Sequence, residues 1–177
     1  MGPARREWKV GVQLLVDRAG SPVQATPGSS GFDLSSAEEN DVVIEPGCSR
    51  LVRTGIALDL PPGLEGQVRS RSGLAAKSGL FVLNSPGTID SDYRGEIKII
   101  LANLGKTPFA VCPGDRIAQL VFNEIPRISL SAVDTLTVTE RGSAGFGSSG
   151  KVPLKKSADL ESVRTGSSRS HAKRSKK

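Results

Sequence analysis

The sequence predicts an all-β fold, a sandwich or jelly roll, with one short helix. Three observations lead there. Helical periodicity is scarce, short runs rich in Val, Ile and Leu recur at intervals of roughly 8–15 residues, and turns containing Pro and Gly separate them. The runs fall at 10–16, 42–44, 51–58, 96–103 and 116–122. Between them stand Pro46-Gly47, Pro61-Pro62-Gly63, Ser85-Pro86-Gly87, Leu104-Gly105-Lys106 and Pro113-Gly114, where proline fixes φ and glycine accepts φ > 0. Many short strands joined by such turns are the pattern of a sandwich or jelly roll. The single helical stretch is 72–77, with Ser72 placed to cap its N-terminus.

A chain of 177 residues with 37% hydrophobic content can build one ordinary core. No apolar run is long enough to span a membrane, and the N-terminus MGPARREWKV lacks the apolar region of a signal peptide. The expectation is a soluble intracellular protein, cytoplasmic or nuclear. Cys48 and Cys112 are the only cysteines and match no metal-ligand spacing. The one histidine, His171, lies in a polar tail. That excludes a Ser-His-Asp triad and an HExxH zinc site, so catalysis must run on carboxylates, hydroxyls, arginines, glycine-rich backbone and a bound cation.

Charge is unevenly distributed. Residues 151–177 hold nine Lys and Arg against Asp159 and Glu161, a net +7, while residues 1–150 hold 15 basic residues against 16 acidic ones, a net −1. The tail has no aromatic residue and few apolar ones, and is expected to be disordered. The reading is therefore a β domain over 1–140, a Gly-rich arm over 141–150 and a basic tail over 151–177.

Five segments could carry chemistry, and each has a bland reading. GSSGFDLSSA (28–37) sets Asp33 between apolar neighbours, or is merely a strand start with an exposed carboxylate. RSRSGLAAK (69–77) offers helix N–H groups, a hydroxyl and arginines to an anion, or is a capped surface turn. GTIDSDYRGE (87–96) combines Asp90, Asp92, Tyr93 and Arg94 between glycines, and alone would pass for a charged turn. PGDRIAQLVF (113–122) reads as a turn entering a core strand. RGSAGFGSSG (141–150) can wrap phosphate oxygens with backbone N–H groups, hydroxyls and Arg141, or serve as a linker. Its near matches to GxGxxG and GxxxxGK fail, because Val152 replaces the required Ser/Thr and no strand and helix flank it.

Taken together and in order, these five segments resemble the five motifs of the trimeric dUTP pyrophosphatases. Five ordered blocks over residues 10–150 are far more specific than any one of them. The resemblance implies a β jelly roll, a homotrimer with three active sites at subunit interfaces, and hydrolysis of dUTP to dUMP and pyrophosphate. That activity limits uracil incorporation into DNA and supplies dUMP for dTMP synthesis.

The resemblance also assigns roles to matching positions. Asp90 would hold and deprotonate the water that attacks the α-phosphorus, a task open to a positioned carboxylate. Tyr93 would pack on the deoxyribose and leave no room for a 2′-hydroxyl. Asn84 would hydrogen-bond uracil, with backbone groups of the hairpin carrying Gly87 and Ile89 completing the recognition. Arg71, Ser72, Gly73 and Gln119 would hold phosphate oxygens. Asp33 would meet a Mg²⁺ carried by the triphosphate through the ion's waters. Phe146 would lie over the uracil while Arg141, Gly147, Ser148 and Ser149 close on the γ-phosphate, making the arm a lid.

Departures from the commonest family pattern are Phe32, Arg69-Ser70 and Ser143-Ala144, none of which removes a group given a role. Arg94 suits an intersubunit or intra-loop ion pair. The related dCTP deaminases would have a glutamate near Ile100 and lack Tyr93, which argues against that branch. The second-ranked alternative is a dUTPase-derived interaction or regulatory protein, an added role more than a replacement: loss of a catalytic group would support it, and here Asp90, Tyr93, Ser72, Gln119, Arg141 and Phe146 are all present. The tail's KRSKK suits nuclear import or a nonspecific nucleic-acid contact. Deleting 151–177 is expected to leave turnover almost unchanged and deleting from 141 to abolish it, as read by pyrophosphate release; equal activity of the two truncations would remove the lid assignment.

Overall fold

The computed structural model describes residues 7–144. By internal contacts the chain divides into a unit ending at Ser129 and a second unit beginning at Leu130. The first contains every regular element among the described residues: β1 (Gly11–Leu14), β2 (Phe32–Ser35), β3 (Val42–Ile44), β4 (Ser49–Arg53), β5 (Ile56–Asp59), β6 (Leu64–Arg69), α1 (Ser72–Ser78), β7 (Leu80–Val82), β8 (Gly87–Ile89), β9 (Lys98–Asn103), β10 (Phe109–Val111) and β11 (Arg116–Glu124). The sequence-predicted helix and all five apolar runs are found among these elements.

All pairings are antiparallel. A four-stranded sheet runs β2-β11-β6-β8, a three-stranded sheet runs β4-β9-β7, and β1-β5 and β10-β3 form two-stranded ribbons. Alternation explains the packing: in β6 the side chains of Leu64 and Val68 turn inward while Glu65, Gln67 and Arg69 turn outward. Inward side chains of both larger sheets join one core, including Leu34, Val68 and Leu120 from the first and Val52, Val82, Ile99 and Leu101 from the second. The architecture is a β jelly roll with one short helix.

Two details differ from the sequence reading. The run 51–58 is two strands rather than one, broken at Thr54-Gly55. Gly55 has φ +66°, and a Cβ there would lie 2.8 Å from the side chains of both Val16 and Ala19, so no other residue fits that corner. Ser72 is not the cap of α1: Arg71 occupies that position with extended backbone and makes no side-chain cap hydrogen bond. Its guanidinium is engaged elsewhere, donating to the Arg116 carbonyl at 2.8 Å. At the other end Gly79 closes the helix in the left-handed region, its N–H directed to the Ala75 and Leu74 carbonyls.

Asn103, at the end of β9, is 1% exposed and fully used. Its Nδ2 donates to the carbonyls of Ile44 (2.8 Å) and Thr107 (2.9 Å), and its Oδ1 accepts from the Gly105 N–H (2.8 Å). One amide thus fastens β3, β9 and the β9–β10 turn. Asn103→Ala leaves these three backbone groups without that partner and is expected to cost about 3 kcal/mol, read in urea titration as a lowered midpoint with an unchanged slope.

Candidate active site

β8 lies at the edge of the four-stranded sheet, and beside it opens a cleft of about 420 Å³. Its lining includes Asn84, Gly87, Ile89, Asp90 and Tyr93, with Val68 of β6 on one wall and Leu51, Val82 and Ile97–Ile99 on the other. Five residues singled out in the sequence are therefore brought together. The turn that follows β8 is tight: the Tyr93 N–H donates to the Asp90 carbonyl at 3.2 Å, which holds the carboxylate and the ring on one short loop. The Tyr93 ring lies directly over Gly95, where a Cβ would stand 2.6 Å from Cζ, and its hydroxyl donates to the Glu96 carbonyl at 3.1 Å. Arg94 pairs with Asp59 at the end of β5 (2.5 Å), a partner outside its own loop. It also donates within the loop to the Ser91 carbonyl at 2.7 Å.

A second group forms around Asp33 on β2. Its carboxylate is 4% exposed and is held by Arg71 Nε (3.3 Å), Arg116 Nη1 (3.0 Å) and Gln119 Nε2 (3.5 Å). Two guanidiniums neutralise a charge that burial alone would make prohibitive. Arg116 and Gln119 are three apart on β11, so strict alternation would send them to opposite faces. The pairing of β11 with β2 slips one residue between Arg116 and Ala118, and this bulge turns both toward Asp33. Ser72 and Gly73 are exposed in the first turn of α1, next to Arg71.

The two groups open on opposite faces of the four-stranded sheet. Asp33 pairs with Gln119, and Gln119 with Arg69, so these three project to one side. Val68 pairs with Gly87 and with Leu120, so the cleft wall belongs to the other. Arg141 lies in the second unit, where its Nε donates to the Ala144 carbonyl at 2.9 Å. Phe146, Gly147, Ser148 and Ser149 lie outside the described residues, as does the basic tail.

The dUTPase family's sequence model matches residues 17–150 of this chain. The chain belongs to the dUTPase family. Deoxyuridine 5′-triphosphate nucleotidohydrolases related to it include that of Anaplasma marginale (strain St. Maries), 49% identical over 144 residues, covering 80% of this chain and 98% of that protein. That of Orientia tsutsugamushi (strain Ikeda) is 56% identical over 129 residues, covering 73% of this chain and 87% of that protein. Among solved structures, the dUTPase of Staphylococcus bacteriophage 80alpha with dUPNHPP superposes with a TM-score of 0.74 at 30% identity, covering 80% of this chain and 98% of that one. A mutant dUTPase from phage phi11 of S. aureus, whose structure concerns coordination of a structural Mg(II) ion, superposes with a TM-score of 0.66 at 27% identity, covering 72% of this chain and 97% of that one.

Hydrolysis of dUTP is the activity this dUTPase shares with its relatives. Among the described residues no group of three or more His, Cys, Asp or Glu could cage a metal ion. A Mg²⁺ brought in by a nucleotide would be compatible with this donor set. A carboxylate has about four acceptor sites, and the three donors around Asp33 leave room for one water from such an ion. No helix among the described residues is long and apolar enough to cross a membrane. Both cysteines are free and exposed, and a hydrogen bond with Asp41 holds the Cys112 thiol above its ordinary pKa.

Sequence reasoning gave no role to Arg116, Gly95 or Glu96. Arg116 was hidden by the bulge, and Gly95 by the absence of any local sign that a ring would lie on it. Asp33→Ala removes the shared acceptor of two arginines and is expected to cost about 2 kcal/mol, less than a fully buried pair because Arg116 is half exposed. Asp33→Asn should lose less, and the comparison is made by urea unfolding of the two variants.

Proposed function

We propose that this dUTPase is a Mg²⁺-assisted homotrimer that splits dUTP into dUMP and pyrophosphate at sites shared between subunits. The observation that carries this reading is the convergence of Asn84, Gly87, Ile89, Asp90 and Tyr93 on one cleft. The nucleoside sits there: Asn84 and the β8 backbone meet uracil, the Tyr93 ring meets the deoxyribose, and the exposed Asp90 carboxylate takes the proton of the attacking water. A ring fixed over Gly95 excludes a 2′-hydroxyl by bulk, and a snug hairpin excludes the 5-methyl of thymine.

Phosphate oxygens are held by Arg71, Ser72, Gly73 and Gln119. In one chain Arg71 and Gln119 lie with Asp33, across the sheet from the cleft, and Ser72 and Gly73 follow Arg71 directly in sequence, so a nucleotide touching both sets would be held by two chains. This favours interface sites in the proposed trimer. Asp33 aims Arg71 and would meet the waters of a Mg²⁺ brought in by the nucleotide, an ion that when bound would help neutralise the charge developing on the phosphates. Arg141, Phe146, Gly147, Ser148 and Ser149 form the lid that shuts out bulk water. The basic tail directs the enzyme to the nucleus rather than taking part in turnover, and the product dUMP feeds dTMP synthesis while dUTP is kept from DNA.

Pyrophosphate release with Mg²⁺ from dUTP, dCTP, dTTP and UTP tests this, with Asp90→Asn alongside and light scattering for subunit number. Release from dUTP alone, lowered by about 10³-fold or more in Asp90→Asn, is the expected result. No release from any nucleotide by a folded trimer would overturn it.

A further inference from the structure

The turn that carries Asp90 and Tyr93 ends in Glu96, whose side chain is only 13% exposed although it is charged and lines the cleft. Its carboxylate accepts from Arg53 Nε at 3.1 and 3.2 Å and from the Gly55 N–H at 3.0 Å, with Lys98 Nζ at 3.9 Å. Gly55 is the corner between β4 and β5 that admits no Cβ, so this acceptor reaches a fixed point of the core. The next residue, Ile97, is 1% exposed and is clamped by the Ile56 carbonyl (2.9 Å) and the Thr54 hydroxyl (2.5 Å). On the other side, the Glu96 carbonyl accepts the Tyr93 hydroxyl.

We propose that Glu96 is a positioning residue that sets sugar selectivity: its carboxylate ties the site turn to the β4–β5 corner, and its carbonyl holds the Tyr93 hydroxyl in place. The selectivity half rests on the dUTPase reading of Tyr93; the tether half does not. A ring pressed on Gly95 with its hydroxyl bonded one residue further on cannot swing without breaking that bond or moving the turn. Without the carboxylate tie, only the Ile97 anchors would hold the turn to the corner, and the segment before them would let the ring retreat and admit a 2′-hydroxyl.

Amide exchange on the full-length chain tests the tether without substrate. Glu96→Ala should speed exchange at the Gly55 and Tyr93 amides by about tenfold or more while β11 amides stay within about twofold. Glu96→Gln, which keeps the acceptor for Gly55, should restore most of the protection. The preference for dUTP over UTP in kcat/KM should fall by about tenfold or more in Glu96→Ala, and return toward wild type in Glu96→Gln. Unchanged exchange at both amides overturns the tether, and an unchanged preference with altered exchange overturns the selectivity role. Should Glu96→Ala not fold, Tyr93→Phe removes only the hydroxyl held by the Glu96 carbonyl; a wild-type preference in that variant overturns the selectivity role as well. A wild type that hydrolyses neither nucleotide defeats the enzymatic reading and the selectivity role with it, while exchange still decides the tether.

Discussion

A buried negative charge governs how one side of this sheet is built. Asp33 sits on a strand with almost no solvent, where an ionised carboxylate is tolerable only if cations surround it. Meeting that demand fixes three separate pieces of chain. Arg71 is drawn in from the turn before α1, Gln119 from the middle of β11, and Arg116 from the start of β11 by way of a bulge. The helix start bears the mark of the same demand: the residue before α1 is an arginine, which serves Asp33 and the Arg116 carbonyl and, having no acceptor atom, leaves the first-turn N–H groups of α1 without a side-chain cap. Polar positioning here is a by-product of charge neutralisation.

The cleft side follows a different logic, in which close approach does the positioning. Gly95 lets an aromatic ring lie on the backbone, Gly55 lets the β4–β5 corner pass between Val16 and Ala19, and Glu96 bridges the two glycines. Rigid backbone on both ends leaves the short loop between them few conformations. A site built that way is set by sterics rather than by long-range attraction, which suits the exclusion of near-identical small molecules.

Much of this was legible in the sequence, and the missing parts share a cause. The strands were visible because Val, Ile and Leu recur between Pro and Gly turns, and 42–44 and 116–122 lie within β3 and β11. The cleft residues were visible because GTIDSDYRGE is contiguous, so chain connectivity alone keeps Asp90 beside Tyr93. Arg116 was not, because its direction depends on a one-residue slip that no local pattern encodes. The break at Thr54-Gly55 was masked by apolar residues on both sides, and Ser72 looked like a cap because side-chain preference cannot see that the helix already begins at Ser72, after an Arg71 drawn to a partner 38 positions earlier. Long-range partners, more than local conformation, separate the pattern from the structure.

If the protein assembles as proposed, the opposed orientation of the two groups would have a genetic meaning. When one ligand is gripped by the cleft of one chain and the Asp33 face of another, a chain disabled on one face spoils the sites to which that face contributes and keeps its other face serviceable. Two variants, each crippled on a different face and made in the same cell, would then assemble mixed particles in which some sites are whole. Such a pair would retain function that neither variant shows alone, and two lesions on the same face would fail to complement.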